Sequence, residues 1–407
     1  MTGLLFTIAF FPLVGWAVSR TNPYLAGTGV TGLALFVTMV WHVPMAVSLI
    51  GLAVVALIAI GLRPAARDAA GPAGGTPAFL SDIALGVAVV LLLSAAAILP
   101  LSDYDGRAFW LIKAKAIAHE GSIDGPFFHG LTAANPRNEY PLLVPLDAAA
   151  IFTVTRDLDD RHTRWLFALF AVAFALEIRR RLGGWFGAAF LWLPRILLDS
   201  ANGGALSAYC DIALGAFVAC AFFELVENGL PLRFGLWVAC AALTKNEGLP
   251  LAILLLIAGA FVFRRRIAAA LALPLVAIGH LFLWRAGIER SDEQNFARTL
   301  LDVPSQLERF GSAMARLLAD FANVRDWGLV LLMIAVAVFF ARRGRLLAAA
   351  ILLPMFVLYA SAVAVSGWDV DTMNALAPRV LTHLLGPLFY LLRDAVLRES
   401  AVEPRPA

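Results

Sequence analysis

Apolar residues in this chain do not alternate with polar ones. They gather in long runs separated by short polar islands. The runs are Leu4–Val18, Ala26–Trp41, Met45–Leu62, Ile83–Leu99, Leu142–Val154, Trp165–Ile178, Trp185–Leu198, Ala205–Leu225, Phe234–Leu243, Leu249–Phe263, Ile267–Trp284, Trp327–Phe340, Leu346–Val365 and Ala377–Leu392. Runs of this kind with few charges predict membrane-spanning helices, although several are short for a hydrocarbon core of roughly 30 Å. The fold class expected is all-α and polytopic. Residues 1–62 form an N-terminal set of helices, read as accessory to the rest. Residues 63–80 include the stretch RPAARDAAGPAGGTP and predict a flexible linker. Residues 81–398 form the main module, and 399–407 a polar tail.

Arginine clusters orient the runs, because short cytoplasmic loops are enriched in Lys and Arg. Arg63 and Arg67, Arg179–Arg181, Arg264–Arg266, Arg342, Arg343 and Arg345, and Arg393 and Arg398 are all expected on the inner side. That places Leu101–Tyr140, the turn before Asp211, Lys245–Gly248 and Gly367–Asn374 outside. The counts from the two termini meet only if one run does not cross fully. Leu142–Val154 is the run expected to fall short.

Composition sharpens this picture. The chain is 61% hydrophobic over 407 residues, with a mean hydropathy of +0.81, more apolar surface than a soluble domain can hide. A net charge of +3 gives no reason to expect a nucleic-acid partner. Cys210, Cys220 and Cys240 lie in or beside apolar runs without metal spacing and read as buried thiols. The first run has no basic leader or obvious small-residue cleavage site, so no cleaved signal is expected.

Polar islands on the expected outer side carry the candidate chemistry. In DYDGRAFWLIKAKAIAHEG, residues 103–121, Asp105 can act as a general base and Asp103 is its close neighbour. Either aspartate can equally cap the helix expected from Arg107. On that helix Trp110, Lys113 and Ile117 share one side, suited to a lipid interface or to phosphate binding, while Lys115 points elsewhere. Tyr140 and the two prolines of NEYPLLVP mark the return to the bilayer, and Glu139 is a second possible acid or metal ligand. Asp211 opens a later run, where it either caps the helix or faces the same cleft. Lys245 and Glu247 interrupt two runs in TKNEG, a costly placement unless they are exposed or paired. Arg379 is expected in the first turn of the last run, with His383 one turn on and on the same face; a guanidinium there can grip phosphate oxygens or snorkel. No Gly-rich phosphate loop is present, and the six histidines are scattered without an i, i+4 pair, so no histidine zinc site is expected.

Taken in order, WLIKAKAIAHEG after an aspartate, EYPLLVP, an aspartate opening a later run, LTKNEG and PRVLTHLLGPL resemble the bacterial C-type glycosyltransferases. These belong to the broad clan of the protein O-mannosyltransferases and the lipid A aminoarabinose transferases. The resemblance covers roughly Ile83–Leu392. It implies a C-type transmembrane bundle whose outer-face loop carries short juxtamembrane helices. It further implies a bacterial inner-membrane protein with its active site on the periplasmic side. The donor implied is a polyprenyl-phosphate-linked sugar, and the acceptor a hydroxyl on a lipid, glycan or protein. The implied catalytic carboxylate is Asp105 in preference to Asp103, with inversion at the sugar carbon. Lys113, Lys245 and Arg379 would stabilise the departing lipid phosphate, with Trp110, Tyr140, Asp211, Glu247 and His383 around the same pocket. No cofactor is certain, and a divalent cation is left open. The competing readings are a flippase for a lipid-linked sugar, to which Pro194 and Arg195 inside an apolar run would be suited, and a membrane scaffold.

Overall fold

The structure, a computed structural model, describes residues 2–62, 76–101, 103–130, 137–199, 203–288, 307–320, 322–334, 352–354, 357 and 370–399. Every regular element among these residues is a helix. The main ones are α1 (Thr2–Trp16), α2 (Pro23–Val40), α3 (Met45–Leu62), α4 (Thr76–Ile98), α5 (Ile112–Glu120), α6 (Pro126–His129), α7 (Leu143–Thr155), α8 (Arg164–Leu182), α9 (Gly184–Leu191), α10 (Pro194–Leu197), α11 (Asp211–Val226), α12 (Pro231–Thr244), α13 (Gly248–Phe263), α14 (Ile267–Gly287), α15 (Leu307–Asp320), α16 (Val324–Trp327) and α17 (Val370–Glu399). Four stretches among the described residues are long and apolar enough to cross a membrane: Pro23–Val40, Met45–Leu62, Phe79–Ile98 and Gly248–Gly287. The last of these bends at Arg264–Arg266 into α13 and α14. The expected span Trp327–Phe340 is described only as far as residue 334, and Leu346–Val365 lies mostly outside the described residues.

Burial separates the helices into two kinds. On α3 and α4, Ile50, Val55, Phe79 and Val90 are more than half exposed, as an apolar helix facing lipid would be. Helix α11 is the opposite: Asp211 through Leu225 are all buried. It sits at the centre, packed by α8, α12 and α17. Small residues set the α11–α17 spacing. A Cβ on Gly386 would lie 2.2 Å from the Ala219 Cβ, and one on Gly215 would lie 2.6 Å from the Thr382 carbonyl oxygen, the close approach that glycine permits between membrane helices. Helix α2 packs against α7, α8, α12 and α14, so the N-terminal helices contribute to the core.

The bundle has two chemically distinct ends. At one, Arg181 of α8 pairs with Glu177, and with Glu224 of α11 at 2.6 Å. Arg233 of α12 reaches the same Glu224 at 2.6 Å, and Arg179 joins Asp82 of α4 at 2.8 Å. We refer to this as the arginine end. At the other, Asp211 of α11 meets Lys245, which follows α12, at 2.8 Å. Helices α4 and α8 are antiparallel: Arg164, at the other end of α8 from Arg179, donates to the Leu99 carbonyl just after α4.

Helix α7 does not carry the chain between the ends. The segment before it meets α5 where Lys113 packs on the Tyr140 ring, and the segment after it meets α5 where Lys115 pairs with Asp160 at 2.7 Å. Both flanks therefore lie at the aspartate end. This is the incomplete crossing that puts Arg179–Arg181 on the same side as the other arginines. The chain returns toward the aspartate end through α9 and α10, a broken helix in place of the continuous run expected over Trp185–Leu198. Pro194 forces the break, because it lacks an N–H and drives Leu193 out of helical geometry (φ −59°, ψ 126°).

Candidate functional site

Five chain segments converge at the aspartate end. Asp211, at the first position of α11, is completely buried. Its Oδ1 lies 2.8 Å from Lys245 Nζ and 2.8 Å from His383 Nε2, and its Oδ2 accepts from Arg379 Nε at 3.4 Å. A buried carboxylate is tolerated when each oxygen is paired in this way. Lys245 also meets Glu247 at 3.0 Å. Burial alone would lower its ammonium pKa, but Asp211 and Glu247 outweigh that and hold it above the ordinary lysine value.

Arg379 bridges to the second carboxylate. Its NH1 lies 3.4 Å from Asp105 Oδ2, and its guanidinium carbon is 4.2 Å from the centre of the Tyr209 ring. The Tyr209 hydroxyl hydrogen-bonds Asp105, and burial, together with nearby Asp105 and Asp103, keeps the phenol protonated well above its usual range despite Arg379. The Asp105 side chain is 33% exposed, against 0% for Asp211. One carboxylate is thus sealed and fully paired, and the other is open with a loose partner. Gly203 (φ +94°) closes the back of the cluster. A Cβ there would stand 3.2 Å from Arg379 Cγ, 3.4 Å from Asp211 Oδ2 and 3.7 Å from Arg195 NH2.

Asp103 has a different job. Its Oδ1 accepts from the backbone N–H of Asp105 at 3.0 Å and of Gly106 at 3.4 Å. It therefore caps the π-helical turn Gly106–Leu111 that leads into α5. Gly106 is required there, since a Cβ would fall 2.0 Å from the Ser207 carbonyl oxygen. This close approach lays the Asp105 turn against the loop that carries Tyr209.

The face formed by Trp110, Lys113 and Ile117 points into the protein, which corrects the expectation that it meets lipid. These residues are 2%, 0% and 0% exposed. Lys113 Nζ donates to the Arg137 carbonyl at 2.7 Å, and it lies 5.6 Å from the Trp110 ring and 5.1 Å from the Tyr140 ring. Burial drives its pKa down to about 7, with Glu139 and Cys210 opposing and Arg137 and Arg285 adding to the fall. Its amine is committed to a backbone carbonyl and an aromatic cage, and it is not aimed at the Arg379 cluster. Arg285 of α14 donates to the Glu139 carbonyl at 2.8 Å and to Asn246 Oδ1 at 2.5 Å, tying this outer segment to the Lys245 connector.

The position expected for Arg379 also changes. Helix α17 begins at Val370 and continues through Pro378, so Arg379 lies well inside a helix and not in its first turn. Within α17 it is held by Asp211 and Asp105 and does not snorkel.

Sequence reasoning gave no role in this site to Arg195, Tyr209 and Gly203. Arg195 is 3% exposed and lies 3.7 Å from both Asp199 and Asp326. A charge inside the apolar run Trp185–Leu198 was its signal. Tyr209 and Gly203 sit in a loop with no periodicity to place them. Among the described residues, no group of three His, Cys, Asp or Glu side chains is arranged to hold a metal ion. The three cysteines are buried and unbridged. No protein-family model, curated protein or solved structure matches the chain.

Proposed function

We propose that this membrane protein is a C-type glycosyltransferase that moves a sugar from a polyprenyl phosphate to an acceptor hydroxyl, with its site at the aspartate end. By the arginine rule that end faces the periplasm of a bacterial inner membrane. The observation that carries the reading is the pairing of an accessible carboxylate, Asp105, with a guanidinium whose far side is anchored by the sealed carboxylate of Asp211.

The chemistry follows from that division. Asp105 takes the proton of the acceptor hydroxyl as its oxygen bonds to the sugar carbon. The bond from that carbon to the phosphate oxygen breaks, and the electron pair leaves with the lipid phosphate, which needs no proton to depart. Arg379 meets the charge that accumulates there. Its contacts at 3.4 Å to both Asp105 and Asp211 are long for charge-assisted bonds, so a phosphate oxygen competes for it against weak partners. Lys245 and His383 hold Asp211, and Asp211 holds Arg379. Inversion at the sugar carbon is what the family resemblance implies.

The test is transfer from a panel of polyprenyl-phosphate sugars by the purified chain in vesicles. Asp105→Asn is expected to abolish transfer while leaving the melting temperature near that of the unaltered protein. Full transfer by that variant would remove the proposed base. The broken α9–α10 helix favours a second reading, transport of a lipid-linked sugar, since discontinuous helices line many transport paths. Movement of the lipid-linked sugar across vesicles without any covalent product would select it.

A further inference from the structure

The short 3-10 turn Asp160–His162 and the first turn of α8 border a surface cleft of about 380 Å3, lined by Asp157, Arg161, His162, Arg164 and Trp165. One of its charges is already answered: Arg161 pairs with Asp159 at 2.5 Å. Asp157 meets the His162 imidazole at 3.0 Å, a contact that offsets the carboxylate charge only when the ring is protonated. Arg164 is not answered. It is 9% exposed. It donates to the Leu99 carbonyl, but its buried Nε has no hydrogen-bond partner, and no carboxylate forms an ion pair with it among the described residues. A guanidinium in that position lacks the counter-charge that burial demands. The helix it opens adds to the demand, because Thr163 leaves α8 without a side-chain cap and sends its hydroxyl to the Asp160 carbonyl instead, at 2.9 Å. An uncapped helix start favours an anion.

The surroundings indicate which kind of anion. Ile98 and Leu99, at the end of α4, are 77% and 43% exposed, and Val154, in the last turn of α7, and Leu158, just after it, are 42% and 40% exposed. An apolar surface flanking an unpaired cation and a tryptophan, at the end of membrane helices, matches the headgroup level of a bilayer. We propose that this cleft binds the phosphate of an anionic membrane lipid, with Arg164 as its anchor and the flanking apolar residues against the acyl chains. The cleft is separate from the Asp105–Arg379 cluster, and the inference stands whether or not sugar transfer occurs there.

The experiment places the full chain in phosphatidylcholine nanodiscs doped with brominated phosphatidylglycerol. It reads the tryptophan quenching that is lost in Trp165→Phe. Saturable Trp165 quenching by the brominated phosphatidylglycerol is expected, and the same brominated chains on diacylglycerol, which lacks the phosphate, are expected to give none. Arg164→Gln should weaken the response about tenfold, the loss that follows removal of one charge-assisted hydrogen bond. Arg161→Gln, at an exposed position, provides a variant whose folding is safe and should weaken it less. Equal quenching by brominated diacylglycerol, or no quenching specific to Trp165, would overturn the proposal. So would protection of Trp165 by inorganic phosphate in detergent with no response to the lipid, which would assign the cleft to a free anion.

Discussion

Asp211→Asn is the sharpest probe of how the candidate site is held together. The substitution keeps the shape and removes the charge. Asn can keep its carbonyl oxygen toward Lys245 and His383, both at 2.8 Å, but its amide then faces the Arg379 Nε–H, donor against donor. Turning the amide over rescues Arg379 but sets the amide against the Lys245 ammonium, donor against donor, and forces His383 into the tautomer whose Nε2 accepts. The remaining carboxylates cannot substitute, since the Glu247 and Asp105 side chains are 24% and 33% exposed and water screens them. Breaking a buried ion pair typically costs about 3–5 kcal/mol. A change of 1 kcal/mol moves the melting point of a domain of 150–250 residues by about 2–4 °C, and the shift shrinks as unfolding entropy grows with length. For 407 residues that is about 1–2 °C per kcal/mol, so the expected fall is ~3–10 °C. The assay is thermal unfolding in a fixed detergent at a fixed scan rate, because membrane proteins often unfold irreversibly. Arg379→Met and the double variant complete a cycle. Removing the guanidinium removes the donor conflict, so the double variant should be more stable than the two single losses predict, by at least ~0.5 kcal/mol. A melting point for Asp211→Asn within about a degree of the parent, together with strict additivity, would refute the view that this carboxylate anchors Arg379.

Two further outcomes follow from the neighbouring elements. Lys113 has a folded-state pKa lowered to about 7. Between that value and the ordinary lysine range the unfolded chain therefore holds a proton that the folded chain lacks, and this group's contribution to stability rises with pH across the window. Lys113→Met should accordingly gain stability relative to the parent below pH 7 and lose that advantage as the pH is raised, read as the difference between two melting curves; a difference independent of pH would contradict it. Gly106→Ala must push the Asp105 turn away from the Ser207 carbonyl, only 2.0 Å from the added carbon. A loss of about 1–3 kcal/mol is expected, along with a fall in any transfer activity that depends on Asp105. An unchanged melting point would show that the loop around Ser207 yields freely.

Much of the architecture was legible because apolar runs have few stable alternatives: α3, α13 and α14 follow the runs closely, whereas α4 starts at Thr76, seven residues ahead of its run and inside the stretch read as a linker. What escaped depended on events between runs. The continuous stretch Trp185–Leu198 hides a break that only Pro194 signals. The polar residues before Ala377 suggested a loop, yet the helix starts at Val370, and that difference carries Arg379 from a helix end into the bundle. Asp103 and Asp105 were indistinguishable by spacing, since either could cap or react. Their roles separate only when the turn places one against backbone N–H groups and the other against a guanidinium from the last helix. Trp110 and Lys113 fit a lipid-facing stripe by periodicity, and periodicity does not say whether a neighbouring segment covers the stripe. Here Tyr140 and Arg137 cover it.

The central helix α11 is pinned by charge at both of its ends, by Lys245, His383 and Arg379 at Asp211 and by Arg181 and Arg233 at Glu224. Sliding it along its axis by one residue, about 1.5 Å, would stretch both sets of contacts simultaneously, and neither could relax without straining the other. A piston stroke of this rod is therefore disfavoured. Any opening that admits a bulky lipid-borne molecule must come from sideways displacement of shorter pieces such as α15 and α16, while the axle stays fixed.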